Sequence, residues 1–127
     1  HRLPIFSLRI RDPQTGGMVH QQLFTKMLSD LFGIQARGGC ACAGPYAHRL
    51  LNIDKPTSDA LRAAILAVEE MHIPGWTRLN LSVLCSDAKA DFIIQAVSTL
   101  ASNPYPMITE YACDQSTARF KAPLAAE

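Results

Sequence analysis

From Phe6 onward the chain alternates, with Phe6, Leu8 and Ile10 apolar and Ser7, Arg9 and Arg11 between them. A period of two sends successive side chains to opposite faces, so residues 3–11 are predicted as a strand with one buried face. Pro4 stands at its beginning, where a missing donor is tolerated. Residues 12–17, Asp-Pro-Gln-Thr-Gly-Gly, read as a turn, because proline presets φ and glycine permits positive φ. The period then changes. Leu23, Met27 and Leu31, flanked by Phe24 and Leu28, recur at helical spacing over 19–32, and Gly33 stands where a left-handed C-cap residue belongs. Residues 34–37 are predicted as a short edge strand, and 46–51 as a short helix opened by Pro45 at its first position. Thr57 or Ser58 then caps a helix that carries Leu61, Ile65 and Val68 on one face and runs to residue 71. Alternation returns over 76–84, with Trp76, Arg78 and Asn80 set against Thr77, Leu79, Leu81 and Val83. Ser86 and Asp87 open a last helix whose apolar stripe holds Phe92, Ile93, Ala96, Val97 and Leu100. Weaker strand signals lie at 108–112 and 118–121, and the final residues are expected to fray.

Strand, helix, short strand, helices, strand, helix is the order of an α+β domain, with helices packed on one face of a small, mainly antiparallel sheet. A helix-rich fold is the alternative if the middle strand does not form. The 127 residues, 48% of them apolar and 18% charged, suit one domain spanning 1–127 with a core that needs no staples. Formal charge is +1 and the basic residues are scattered, which leaves no footprint for nucleic acid. No apolar stretch approaches the ~20 residues that cross a bilayer, so no membrane span is expected. The chain begins at His1 and enters a strand pattern at once, which suggests a cut inside a longer protein. Any targeting signal upstream lies outside it, and the expected compartment is the cytoplasm.

The most unusual segment is Arg37-Gly38-Gly39-Cys40-Ala41-Cys42-Ala43-Gly44-Pro45. Two glycines ahead of two close cysteines describe backbone built for close approach, since glycine removes side-chain bulk. A nucleophilic thiol needs nearby positive charge or helix amides, which Arg37 and the helix expected from Pro45 supply. The plainer reading makes Cys40 and Cys42 small buried residues of a tight turn. A metal reading would complete Cys40 and Cys42 with His48, His72 or Cys85, but the paired ligands typical of a structural zinc site are missing. With Cys85 and Cys113 the chain has four cysteines, and free thiols are expected of a core this size.

The phrase from Asp30 to Tyr46, with Arg49, Leu50 and Leu51 behind it, resembles the cysteine-loop region of the class V aminotransferase family, the pyridoxal-phosphate enzymes that include cysteine desulfurases. Residues 74–84, followed by Ser86-Asp87 and a helix, resemble the strand and helix that finish the small C-terminal domain of such enzymes. The likeness covers most of the chain and joins two separated motifs in the expected order.

The resemblance implies roles. Arg37, Gly39, Cys42 and Pro45 match the loop of the second group of cysteine desulfurases, which makes Cys42 the persulfide-forming catalytic nucleophile and puts Arg37 at the substrate. Arg78 matches the arginine that pairs with the substrate's α-carboxylate, a task for which a planar donor fork is suited. Cys40 is a possible second thiol, as reactive group, resolving partner or packing. Pyridoxal 5'-phosphate is implied for the intact enzyme, with its lysine and acidic partner in an upstream large domain. Lys26, Lys55, Lys89 and Lys121 have no matching context, so this fragment is expected to hold no cofactor and to be inactive alone. A homodimer is implied at full length, with an amino acid as substrate. Cys40-Ala41 stand where the family often has histidines, and the expected helix at 58–71 is an insertion between Cys42 and Arg78. Two other readings stay open: a class V transaminase or lyase in which the cysteine loop is mere wall, and a thiol- or metal-binding interaction module. His20, His48 and His72 match no motif and are read as structural or surface residues.

Overall fold

In the computed structural model the described residues are 3–39, 44–67, 69–104 and 108–122. They form an α+β fold with a three-stranded antiparallel sheet, helices on one of its faces and a separate two-stranded ribbon. The sheet holds β1 (Ile5–Leu8), β2 (Arg37–Gly39) and β3 (Trp76–Asn80) in the order β1-β3-β2. β3 runs antiparallel to both neighbours and supplies the buried centre, with Trp76, Thr77 and Leu79 all buried. The short strand in the middle of the sequence order also forms, as β2, which removes the helix-rich alternative.

Helix α1 (Gln21–Phe32) follows β1 in the chain, packs on β2 and β3, and buries Leu23, Phe24, Met27 and Leu28. Its C-terminus follows the sequence expectation: Gly33 takes φ 65° and donates to Ser29 O, while the Ile34 N–H reaches Leu28 O at 3.1 Å. Those bonds satisfy carbonyls that a helix end leaves open. Ile34 then plugs the core with Leu79 of β3 and with Ala96 and Leu100 of α4 (Asp87–Ser102). Ser86 caps α4 by accepting from the Lys89 N–H. The ribbon β4 (Ala112–Asp114) and β5 (Arg119–Lys121) leans Phe120 on the same core, and Tyr111 donates to Asp30 of α1 at 3.0 Å.

Several boundaries differ from the sequence expectation. The edge strand falls at Arg37–Gly39 rather than 34–37, because Ile34 is drawn inward as core. β1 is shorter than 3–11, and Phe6 on its helix-side face is more than one-third exposed. β3 stops at Asn80, where residues 82–85 turn and leave Val83 94% and Leu84 91% exposed instead of alternating. Between them, α2 (Gly44–Leu51) starts two residues earlier than expected, and α3 (Lys55–Leu66) is capped by Asp54 rather than Thr57 or Ser58. The Asp54 carboxylate accepts from the Thr57 N–H at 2.9 Å, and Pro56 fits the first turn because no hydrogen bond is needed there. α3 ends at Leu66; Glu70–His72 form a separate 3₁₀ turn, and no α3 residue is buried, with Ile65 half-exposed. Val68, expected on that face, lies outside the described residues. On α4 the buried face passes through Ile93, Ala96, Val97 and Leu100, so Phe92 is half-exposed. The strand expected at 108–112 begins only at Ala112.

Candidate functional site

Strand register decides which side chains share a face. Thr77 and Leu79 turn toward the helices: Leu79 joins the core, and the Thr77 hydroxyl donates to Gln21 O of α1. Alternation therefore puts Trp76, Arg78 and Asn80 on the opposite face of β3, where Trp76 is buried, Arg78 half-buried and Asn80 exposed. Two glycines hold the edge strand in place. A methyl on Gly38 would lie 2.9 Å from the Gln22 side chain and 3.1 Å from Gln21 O and Thr25 Oγ1, so β2 lies close against α1. A methyl on Gly75 would lie 2.8–3.0 Å from the backbone of Gly39, which itself has φ 123°.

In that register Arg37 is the direct partner of Arg78 across β2 and β3, while Ser7 of β1 is the partner of Arg78 on the other side. Directly opposed residues project to one face with Cβ atoms about 5 Å apart. Ser7, Arg78 and Arg37 thus form one rung on the face of the sheet away from α1, with Ser7 and Arg37 exposed and Arg78 half-buried. Two cations opposite one another are mutually unfavourable. Neither has a carboxylate partner among the described residues, whose ion pairs are Lys26–Asp30, Lys55–Asp59 and His72–Glu69. The arrangement can accept an anion. Arg37 and Arg78 are legible in the sequence as candidate substrate residues; Ser7 is not, because its place beside Arg78 depends on a register that no local pattern states.

The catalytic thiol assigned from sequence, Cys42, and the second thiol, Cys40, both lie outside the described residues, as do Ala41 and Ala43. The segment is flanked by Gly39 of β2 and Gly44 of α2. α2 is tied to α3 by His48, whose Nδ1 lies 2.7 Å from Gly44 O and whose Nε2 lies 2.7 Å from Ser58 Oγ. An Nδ1–H donating to that carbonyl leaves Nε2 to accept from the Ser58 hydroxyl, so His48 is a tie between helices. His72 is exposed beside Glu69. Cys85 and Cys113 are free thiols, Cys113 with its Sγ 3.4 Å from Met71 Sδ. Among the described residues no three His, Cys, Asp or Glu side chains cluster as a metal site, and no helix is long and apolar enough to cross a membrane.

His20, which matches no sequence motif, also has a defined place in the fold. Its Nδ1 accepts from the Gln22 N–H and caps α1, which leaves the proton on Nε2, a buried atom without a partner among the described residues. The ring borders a cavity of about 170 Å³ with Arg9, Phe24, His72 and Trp76. Burial lowers its pKa from the usual 6.5, because a charge there loses water. Below 6.5 the unfolded chain binds the proton before the folded one, so stability is complete above that value and falls as pH drops toward the lowered one. We expect thermal scans to show this loss, and His20→Asn, which keeps a capping oxygen but cannot titrate, to remove it. Asp12, Asp54 and Asp114, all held below the usual 3.8 by hydrogen bonds from neighbouring hydroxyls, contribute a separate loss only at more acid pH.

No family model matches this chain, and neither a curated protein nor a solved structure is significantly similar to it.

Proposed function

We propose that this chain is the substrate-binding and cysteine-loop domain of a pyridoxal-phosphate-dependent, cysteine desulfurase-like enzyme of the class V aminotransferase type. The observation that carries the reading is the pairing of Arg37 with Arg78 across β2 and β3. These are the two arginines that the family likeness puts at the substrate, some forty residues apart in sequence and brought to one exposed rung. Arg78 holds the α-carboxylate of the amino acid through its planar fork. Lys26 and Lys55 are ion-paired along their own helices, and Lys89 and Lys121 are exposed. On this reading the cofactor-holding lysine belongs to an upstream domain, and the working enzyme is a cytoplasmic homodimer. Apolar side chains left exposed on α4 and in the preceding turn, Phe92, Ile94, Val83 and Leu84, support a further covering domain.

In the reaction, the Cys42 thiolate attacks the sulfur of L-cysteine. The bond between that sulfur and the β-carbon breaks with its electron pair passing to carbon, which takes a proton and leaves as alanine, while the sulfur stays on Cys42 as a persulfide. The cofactor supplies the electron-withdrawing ring that makes this cleavage accessible. In the full-length enzyme supplied with L-cysteine and a reductant, Cys42→Ala is expected to lower sulfide release about a hundredfold or more, as for loss of a covalent nucleophile. Cys40→Ala is expected to retain it. Undiminished sulfide release by Cys42→Ala refutes the assignment.

A further inference from the structure

The rung carries more positive charge than one carboxylate neutralises. Arg37 lies on an edge strand, where a charged side chain is a common guard against pairing with other chains. Edge protection accounts for a cation on β2. It does not account for a cation set directly opposite Arg78 of the central strand, in the one register where the two repel. Ser7, on the other side of Arg78, is small and uncharged, so the rung brings no negative group of its own. Nor does another element bring one, since neither guanidinium is ion-paired among the described residues. Two planar donor forks rising side by side from Cβ atoms about 5 Å apart match a small molecule with two acidic groups a few bonds apart.

We propose that the Ser7–Arg78–Arg37 rung is a two-point site for a small dianion, with an α-carboxylate on Arg78 and a second acidic group of the same molecule on Arg37. The inference rests on the reading of Arg78 as the carboxylate holder. It widens the substrate class from cysteine itself to amino acids of that type whose side chain ends in an acid. L-Cysteine engages one arm, and a dicarboxylate engages both.

The test is a titration of the 127-residue chain with malonate and, separately, acetate at matched ionic strength, following the arginine Nε–Hε signals by NMR. Malonate is expected to move the signals of both Arg37 and Arg78 and to bind about tenfold more tightly than acetate, the gain of one further charge-assisted contact. Arg37→Gln, an exposed replacement whose fold is checked in the same spectra, is expected to bring malonate to the level of acetate. Equal affinity for the two anions overturns the dianion site while leaving Arg78 as a carboxylate holder. An Arg78 signal that neither anion moves overturns both.

Discussion

Phe24→Ala is expected to destabilise the domain by about 3–5 kcal/mol, the usual cost of emptying a fully buried aromatic site. Phe24 has 0% exposure and lies on α1 among Leu23, Met27, Leu28, Leu79 and Leu100, so both the helix and the central strand lose their contact at once. A domain of this size has about 5–15 kcal/mol of total stability, and the variant is left with a large share of it gone. Urea unfolding reads the effect as a lower midpoint with an unchanged slope. Phe24→Leu, which keeps most of the volume, is expected to cost markedly less. A loss below about 1 kcal/mol for the alanine variant contradicts a core centred on this residue.

Gly75→Ala is expected to cost about 1–3 kcal/mol, by overpacking rather than by a cavity. The added methyl lies 2.8 Å from the carbonyl carbon of Gly39 and 3.0 Å from its Cα and O. These are backbone atoms of an adjoining strand and cannot rotate aside as a side chain can. Relief comes from lifting β2 away from β3 at the Gly39–Trp76 pair, which takes Arg37 with it. Amide exchange should therefore quicken over 37–39 before it does in α1 or α4, and in the 127-residue chain the malonate response at Arg37 should weaken. Gly44→Ala is the control, because a methyl there meets nothing within 4 Å. Equal behaviour of the two variants shows that the Gly39–Gly75 approach does not hold the edge strand.

Such effects mark the boundary of what could be read from sequence. Gly33 was legible as a C-cap because a helix end is a local event: one positive φ and two hydrogen bonds to the preceding turn. The capping role of Ser86 was legible for the same reason. Asp54, Thr57 and Ser58 compete as caps within one turn of sequence, and only the backbone path selects Asp54 over the expected Thr57 or Ser58. Ile34 looked like strand and became core, because burial beside Leu79, Ala96 and Leu100 outweighed a β-branched preference. The apolar stripe of α3 was real as a pattern but found nothing among the described residues to bury it fully.

By itself the sequence determined the α+β class, the helix and strand periods, the caps at Gly33 and Ser86, and the segment in which Arg37 stands, all of which depend on residues within a turn or two of each other. Tertiary structure alone decided that Ser7, Arg78 and Arg37 share a rung. Antiparallel pairing joins residues distant along the chain, and a register shift by one would have sent Arg37 or Ser7 to the helix-packed face. In that register Gly38 lies close against α1 and Gly75 against Gly39, contacts between separate elements that come into being only when the helix and the sheet pack together.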